Sequence, residues 1–411
     1  MPSYAAFLGH QPHISIAELA AAVPGFTLKH RVEKKVAIFE SSEDLKPEIL
    51  SILGGTVVLA QQLSNNVLDL KDVPKVLVKE LDKTRGKKVI FGLRTIGVPY
   101  KSVRNLYREC KTKLRNEGRS SRYVGSDHKP AASVLLHDAG LLDGKKGCEL
   151  SIVLGEELMW IGRTIAAQDV ESYTKRDMDK PVRDTTVGLL PPKLAQILLN
   201  FGLWIAKENG CKSAVKKKPT VTVLDPFCGT GVIPMEALLR KWPVQASDKS
   251  VKGVNGCTKN LDWIRKEEKI AKKDVPSTIW KQDALKPFEL KNLPDVIVTE
   301  TSLGTPLNSR PTQKDAMKEK TANEALQEGF LRNAATTLPN IPIVCIWPVW
   351  RTKTMPIFLE KIWKVIEELP YEVVQPIELE KHDRPTLFYR RADQFVGREI
   401  VLLKPKKEEK K

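Results

Sequence analysis

The feature that most restricts how this chain can fold is a short apolar run that ends in an acid and a glycine-rich turn. Residues 221–231 read Val-Thr-Val-Leu-Asp-Pro-Phe-Cys-Gly-Thr-Gly, and an apolar segment follows at residues 232–240. β-branched residues favour a strand, and the two glycines let backbone approach a ligand closely. The pattern predicts a strand, a tight turn and a helix at the carboxyl edge of a sheet. A purely structural corner is the alternative.

Residues 219–406 extend this pattern as an alternation of strand-like and helix-like segments. Such an alternation predicts an α/β domain with a mainly parallel sheet. Pro191-Pro192 opens a further helix, so the predicted domain spans residues 191–406. We predict strands at residues 221–224, 244–247, 277–281, 295–299 and 343–347, helices at 232–240, 251–268, 323–337 and 356–369, and two closing strands at 372–380 and 386–403.

The first part of the chain predicts two small α+β domains, residues 1–60 and 61–165. They are followed by a polar, mixed-charge linker at residues 166–190, and residues 407–411 form a basic tail. Within the second domain, residues 102–116 have the periodicity of a helix. Basic side chains share one face of this helix, and a further arginine follows in a strand-like run: Arg104, Arg108, Lys111, Arg115 and Arg122.

Charge and cysteine content restrict the partners and the compartment. The formal net charge of +17 favours a polyanionic partner, because neutralising phosphates releases counterions. Six scattered cysteines without a C-x-x-C pair predict reduced thiols in a cytoplasmic protein and no metal site. No run approaches the roughly 20 apolar residues of a membrane helix, so we predict no membrane partner.

The glycine-rich turn and two later acids predict a nucleoside pocket. The D-P-F-C-G-T-G segment resembles motif I of S-adenosylmethionine-dependent amino-group methyltransferases that act on RNA or DNA. Asp248 ends the next strand and is placed to accept hydrogen bonds from ribose hydroxyls, and Asp283 follows the third strand and is placed near an adenine amino group. Each acid alone is more typical of a helix cap or a loop. The predicted cofactor-binding residues are Asp225, Pro226, Phe227, Cys228, Gly229, Thr230, Gly231, Asp248 and Asp283.

The end of the fourth strand is where the catalytic residues are expected. Amino-group methyltransferases of this type typically have D/N-P-P-Y/F here, in which oxygens accept the hydrogens of the amine and the aromatic ring stacks on the base. This chain instead has Glu300, Thr301, Ser302 and Leu303, followed by a glycine. We predict these four as the catalytic residues. A decayed site or an ordinary loop is the alternative. Trp347 and Trp350 are candidates for a substitute aromatic wall, and core packing at the end of the strand is the favoured alternative for them.

With these residues in view, the chain resembles the tRNA guanosine N2-methyltransferases of archaea and eukaryotes that modify position ten, and their bacterial relatives. The resemblance covers nearly the whole chain, including residues 4–19, 119–154, 173–196 and 397–400. It implies an α/β, Rossmann-like class I methyltransferase domain at residues 191–406. It also implies that this domain is preceded by an α+β region, ferredoxin-like at residues 1–60 and THUMP-like at residues 61–165.

The resemblance further implies S-adenosyl-L-methionine as cofactor and tRNA as partner, with methyl transfer to the exocyclic N2 amine of a flipped guanosine. The basic residues of the THUMP-like domain would then contact phosphate, although a solvated helix face is the alternative. A small activating subunit stays open as a further partner. Two other functions also stay open, a non-catalytic tRNA-binding protein with a relic methyltransferase fold, and an amino-methyltransferase for ribosomal RNA or DNA.

Overall fold

The computed structural model describes residues 1–63, 69–84, 86–125, 131–184, 189–378 and 384–406. The chain divides into two compact units, Met1–Tyr173 and Thr174–Lys411. The predicted basic tail, residues 407–411, lies outside the described residues. Within the described part of the chain, no helix combines the length and the apolar composition needed to cross a membrane.

The first unit is an α+β unit with eight strands. Its elements are β1 (Ser3–Leu8), α1 (Pro12–Ala22), β2 (Thr27–Val32), β3 (Val36–Glu40), β4 (Thr56–Gln62), α2 (Val73–Leu81), β5 (Lys88–Ile96), α3 (Tyr100–Asn116), β6 (Ser120–Val124), α4 (Ser133–Asp138), β7 (Gly147–Leu154) and β8 (Met159–Ala167). Short 3₁₀ turns at Pro47–Ser51 and Leu70–Asp72 precede β4 and α2.

One sheet runs through the whole first unit, in the order β2-β3-β1-β4-β8-β7-β5-β6. β4 pairs with β1 on one side and β8 on the other, so the boundary predicted between residues 60 and 61 falls inside a strand that both halves share. α2 and α3 pack on β5 and β7 through an apolar cluster that includes Leu77, Leu106 and Phe91. The division into ferredoxin-like and THUMP-like domains remains a prediction.

The second unit has the predicted alternation of strands and helices. Its elements are α6 (Pro192–Glu208), β9 (Val223–Asp225), α7 (Val232–Leu239), β10 (Val244–Asp248), α8 (Val251–Glu267), β11 (Ser277–Lys281), β12 (Val296–Glu300), α9 (Gln313–Thr337), β13 (Ile343–Arg351), β14 (Pro356–Ile357), α10 (Lys361–Glu368), β15 (Tyr371–Val373), β16 (Leu387–Tyr389) and β17 (Val396–Pro405). The short helix α5 (Val170–Thr174) ends where this unit begins, and a wide turn at Lys175–Asp179 follows it before α6.

The main sheet of the second unit has the order β11-β10-β9-β12-β13-β17-β15. β9 to β13 are parallel, whereas β17 runs antiparallel to β13. Because parallel strands end at the same edge, the residues that follow β9, β10, β11 and β12 gather there. α9 and α10 cover one face of the sheet through a large apolar cluster around Phe330 and Ile366.

Two predicted helices have different limits in the structure. α9 begins at Gln313, well before the predicted residue 323, and Thr312 caps it by accepting a hydrogen bond from the Asp315 amide at 3.2 Å. Its first turns are polar and lack the apolar periodicity from which a helix is predicted. The helix predicted at residues 356–369 begins only at Lys361, because Pro356–Ile357 pairs with β13 as a strand.

Gly231 in the motif turn and Gly210 after α6 both have a positive φ, and together they allow a test of the packing around Gly231. Gly231 has φ 87°, and a Cβ there would lie 2.7 Å from Cys257 Sγ. Gly210 has φ 85° with open space around it. We expect Gly210→Ala to lower the free energy of unfolding by about 1–2 kcal/mol through backbone strain alone. Gly231→Ala should cost about 1–3 kcal/mol more because it overpacks the contact with Cys257.

Urea unfolding followed by tryptophan fluorescence measures both variants. Every tryptophan except Trp160 belongs to the second unit, so the signal reports mainly on that unit. Equal losses for the two alanine variants would contradict the close packing of Gly231.

Candidate active site

A cavity of about 380 Å³ opens at the carboxyl edge of the second unit's sheet. Its walls come from the ends of β9, β10 and β12, from the segment after β11, and from part of the predicted linker. Every residue predicted to bind cofactor or to act in catalysis lines this cavity, with the exception of Gly231. The volume lies in the range of about 300–1,000 Å³ that is usual for small-molecule sites.

The two glycines of the turn have separate structural roles. A Cβ on Gly229 would meet nothing within 4 Å, and this residue has φ 48° where it lines the cavity. Gly231 is the N-cap of α7 and packs against Cys257 of α8. Because Gly229 has no side chain, its backbone is accessible from the cavity, whereas the missing side chain of Gly231 lets α7 and α8 approach each other.

Asp225 is a buried carboxyl group at the base of the cavity. Its Oδ1 accepts a hydrogen bond from Thr299 Oγ1 at 2.6 Å and one from the Phe227 amide at 3.2 Å. Burial is the main cause that raises the pKa of Asp225 to about 7, and the negative charges of Asp248 and Glu300 act in the same direction against the two hydrogen bonds, which lower it. The residue is thus poised to change charge near neutral pH.

Asp248 and Asp283, the other two acids predicted to bind cofactor, hold the loops that follow β10 and β11. Asp248 accepts hydrogen bonds from the amides of Gly229 at 3.0 Å and Ser250 at 2.8 Å, and Asp283 accepts one from the Leu285 amide at 3.0 Å. A carboxylate has about four acceptor positions. Both acids line the cavity, so the loop bonds and contacts to a ligand are compatible.

The predicted catalytic residues are held by long-range contacts. The Glu300 carboxylate accepts a hydrogen bond at 2.6 Å from Nε of Arg398, which is 1% exposed. The Thr301 hydroxyl donates to the Ile346 carbonyl at 2.7 Å and accepts from Gln327 Nε2 at 2.7 Å. Two hydrogen bonds therefore fix the segment where a D/N-P-P-Y/F motif would have proline rings.

Beyond Thr301, the segment becomes more accessible. Ser302 is exposed and its hydroxyl accepts a weak bond from the Gly304 amide at 3.3 Å, while Leu303 is partly buried. Glu319 of α9 then accepts bonds from the Thr305 amide at 3.0 Å and from its hydroxyl at 2.7 Å. The tetrapeptide is thereby anchored on both sides, with Ser302 and Leu303 facing the cavity.

Arg398 is a functional residue that the sequence reasoning missed. Besides Glu300, its guanidinium donates to Gln394 Oε1 at 3.0 Å and to the Leu189 carbonyl at 3.3 Å. One signal was present in the sequence, because an arginine and a glutamate interrupt the otherwise apolar run of β17. Charged residues are seldom buried unless they are paired.

The predicted linker also forms part of the site. Val182, Asp184 and Leu189 line the cavity. Asn260 of α8 ties the linker to the glycine turn, since its side chain bonds both backbone groups of Val182 at 2.9 Å and the Thr230 carbonyl at 2.8 Å. The irregular, mixed-charge composition of residues 166–190 did not indicate this role.

Of the two interpretations of Trp347 and Trp350, core packing is confirmed and the aromatic wall is wrong. Both side chains are 0% exposed and belong to the apolar core between the sheet and α9 and α10. Trp347 packs edge-on against Trp363 with 5.5 Å between the ring centroids. They support the sheet below the cavity but are absent from its walls.

The predicted phosphate contacts lie in the first unit and are only partly brought together. Four of them are exposed on one face of α3: Arg104, Arg108, Lys111 and Arg115. Arg122 is exposed on β6, next to Tyr123, whose ring packs on Tyr107 of α3 at 4.6 Å. Because side chains alternate along a strand, Arg122 projects from the opposite face of the sheet and does not extend the helical stripe.

Comparison with known proteins places the fold. No protein-family model matches the chain, and no curated protein matches its sequence. The crystal structure of TrmN from Thermus thermophilus is similar over 98% of this chain and 100% of that chain, with 15% identity and a TM-score of 0.50. This likeness shows a shared fold.

Two further structures are similar over shorter stretches. N-methyltransferase NodS from Bradyrhizobium japonicum, in complex with S-adenosyl-L-homocysteine, shares 14% identity over 57% of this chain and 99% of that chain, with a TM-score of 0.33. TehB from Haemophilus influenzae shares 12% identity over 62% and 72%, with a TM-score of 0.30. The order and directions of the strands in the second unit are those of the Rossmann-like class I methyltransferase fold.

The raised pKa of Asp225 predicts a dependence of stability on pH. Between its ordinary value of 3.8 and about 7, folded Asp225 keeps a proton that the unfolded chain has lost. Its contribution to the free energy of unfolding therefore falls as pH rises through this window, by about 1.4 kcal/mol per pH unit. We expect Asp225→Asn to gain stability relative to the wild type between pH 5 and pH 8.

Urea unfolding at several pH values, followed by tryptophan fluorescence, measures this difference. Thr299→Val removes a donor that favours the charged form of Asp225, so it should move the window to higher pH. Parallel pH profiles for the wild type and Asp225→Asn would contradict a titrating Asp225.

Proposed function

We propose that this protein is an S-adenosylmethionine-dependent methyltransferase that modifies the N2 amine of a guanosine in tRNA. The observation that carries the proposal is the shared cavity, in which the bare Gly229 turn and the acids after β9, β10 and β11 meet Glu300 at the end of β12. The fold supports a nucleoside site at this edge of the sheet.

The residues around the cavity suit this cofactor. Asp248 and Asp283 present acceptors for ribose hydroxyls and an adenine amino group, and Gly229 leaves room for a close backbone approach. Asp225, Asp248 and Glu300 concentrate negative charge, which suits a sulfonium cation. When bound, S-adenosylmethionine supplies an electrophilic methyl group.

The chain's own contribution to transfer is to orient the amine. The amine of guanine has its lone pair delocalised into the ring, so acceptors that hold its hydrogens favour attack on the methyl group. Glu300 supplies a carboxylate, held in place by Arg398 at 2.6 Å. Its remaining lone pairs and the hydroxyl of Ser302 line the same cavity as acceptors.

A charged acceptor at position 300 also favours guanine over the other amine-bearing bases. Guanine presents two adjacent donors, N1–H and the N2 amine, to a carboxylate. Adenine and cytosine present a ring acceptor beside their amine, which a carboxylate repels. The replacement of the usual aspartate by glutamate therefore keeps the chemistry that guanine N2 requires.

The first unit supports RNA as the partner. The exposed cations of α3 form a stripe that matches a phosphate backbone and carries no sequence information. The net charge of +17 acts in the same sense. Six free cysteines, five of them buried, are consistent with the cytoplasm as the compartment of the reaction.

Binding and turnover are tested separately. Calorimetric titration with S-adenosylmethionine measures the affinity for the cofactor. Mass spectrometry of nucleosides from tRNA that was incubated with the protein and S-adenosylmethionine measures methyl transfer. We expect N2-methylguanosine, and a loss of about 10²–10³-fold in kcat for Glu300→Gln with cofactor affinity retained. Glu267→Gln, an exposed ion-pair partner of Lys175 at the far end of α8, is the control that should leave both unchanged.

The outcomes separate the competing functions. Cofactor binding without transfer to any tRNA would overturn the proposal and leave a non-catalytic RNA-binding protein. Transfer to ribosomal RNA or DNA in preference to tRNA would identify an amino-methyltransferase of another substrate.

The basic stripe on α3 generates its own prediction. Arg104→Glu/Arg108→Glu should weaken tRNA binding and reduce the slope of log Kd against log salt by about 0.7–0.9 per lost phosphate contact. Lys75→Glu/Lys79→Glu on α2 makes the same charge change elsewhere in the unit and serves as the control. Filter binding at several salt concentrations measures the slopes. Identical slopes for the two double variants would remove α3 from the interface.

A further inference from the structure

The catalytic segment lacks a ring at the position where related amino-methyltransferases stack an aromatic on the base. Leu303 has no π face, and the tryptophans of β13 are buried in the core. Stacking on an aromatic side chain is a principal way in which proteins hold an unstacked RNA base. A base presented to Glu300 therefore needs a partner from another part of the second unit.

Tyr389 lies next to the residue that holds Glu300. It ends β16 and pairs directly with Arg398 of β17, so the two side chains share one face of the sheet. The Arg398 guanidinium carbon lies 6.0 Å from the centroid of the Tyr389 ring, and its Nε lies 2.6 Å from Glu300 Oε1. A single side chain thus separates the ring from the acceptor carboxylate.

The ring is partly exposed and remains uncharged. Among the described residues, Tyr389 is not one of those that line the cofactor cavity. Burial raises the pKa of the Tyr389 hydroxyl above its ordinary value, while Arg391 and Arg398 lower it and Asp393 and Glu300 raise it. The partly exposed, neutral ring leaves surface available to a base.

The turn that carries Tyr389 is held rigidly. Arg351 of β13 donates from Nη1 to the carbonyls of Ala392 at 3.2 Å and Gln394 at 3.1 Å, and its amide donates to the Phe395 carbonyl at 2.8 Å. Gln394 in turn accepts from Arg398 at 3.0 Å. Arg351 and Arg398 therefore both hold the turn between β16 and β17, and Arg398 also orients Glu300. A binding surface that is held in this way is preorganised.

The residues after Tyr389 add charge of the right sign. Arg390 and Arg391 follow directly in the chain and are both exposed. Arg391 lies 3.9 Å from Asp393, a distance at which exposed ion pairs contribute little. An aromatic ring followed by two cations matches a nucleotide, since the ring suits the base and the cations suit the flanking phosphates.

We propose that Tyr389 is a base-binding residue, whose ring stacks on the purine of an extruded RNA nucleotide while Glu300 accepts hydrogens from that purine's amine. This inference rests on the proposed function, because it names the residue that holds the substrate at the same site. It assigns to the β16–β17 hairpin the stacking role that Leu303 cannot fill.

A binding experiment tests the stacking without turnover. The probe is a single-stranded RNA oligonucleotide with one 6-methylisoxanthopterin, a fluorescent guanine analogue that keeps the ring N–H and 2-amino donors of guanine and loses fluorescence when stacked. It is titrated with full-length protein in the presence of S-adenosylhomocysteine. We expect the wild type and Tyr389→Phe to quench the probe. Tyr389→Leu should bind the base about 5- to 150-fold more weakly, the equivalent of one lost stack.

Controls exclude other causes. Phe26→Leu removes a partly exposed aromatic ring of the first unit that lies outside α3, and it should leave the quenching unchanged. Melting temperature and S-adenosylhomocysteine affinity report whether Tyr389→Leu is folded, and Tyr389→Met repeats the test if the leucine variant unfolds. Quenching that is absent in the wild type, or that is equal in the wild type and a folded Tyr389→Leu, overturns the inference.

Kinetics distinguish this inference from the proposed function. With tRNA as substrate, Tyr389→Leu should raise KM for tRNA while leaving the affinity for S-adenosylmethionine unchanged, and Tyr389→Phe should restore the wild-type value. Quenching that depends on Tyr389 without any methyl transfer would retain the base site and reject the methyltransferase activity. Methyl transfer with the same KM in Tyr389→Leu would do the reverse.

Discussion

The ion pair between Arg398 and Glu300 is the interaction on which the carboxyl edge of the second unit depends. It joins β17 to β12 across the intervening β13, with 2.6 Å between Nε and Oε1 and an arginine that is 1% exposed. A buried arginine is tolerated only when its donors are satisfied, and the loss of one partner of such a pair typically costs about 3–5 kcal/mol. Here the remaining donors reach Gln394 and the Leu189 carbonyl. The Arg398 guanidinium thus positions the end of β12, the β16–β17 hairpin and the backbone at Leu189 together.

The electrostatics of the cavity follow from this arrangement. Asp225, Asp248 and Glu300 face one another across a small volume, and each additional negative charge makes the next less favourable. Arg398 compensates Glu300, and backbone amides compensate Asp248. Asp225 has only hydroxyl and amide donors and is the group that takes up a proton. A cationic ligand would add positive charge beside these three carboxyl groups, which is the property we assign to the cofactor.

The sequence predicted the parts of the structure that depend on local patterns. Apolar, β-branched runs located β9 to β13, and the glycine-rich turn located the cavity, because both follow from residues that are close in the chain. Contacts between residues that are far apart in the chain could not be predicted from local patterns. Arg398 meets Glu300 across a separation of 98 residues, and Asn260 meets Val182 across 78. Nothing in the spacing of these residues indicates which partner each one selects.

The same limit explains the errors in detail. Helical periodicity correctly grouped the four cations of α3, but the strand alternation that turns Arg122 to the other face depends on which side of β6 meets the helix. Trp347 and Trp350 were placed near the right strand end, yet the core formed by α9 and α10 decides that they are covered.

The antiparallel strand β17 has a consequence for how the protein is made. The glycine turn, the acids after β10 and β11 and the tetrapeptide all precede residue 310, whereas Glu300 is anchored by Arg398 of the last long strand. During synthesis the residues of the cavity therefore leave the ribosome before the counter-charge of Glu300. Because domains generally fold as units, a nascent chain with the proposed function could not seat a nucleobase until its final long strand is inserted.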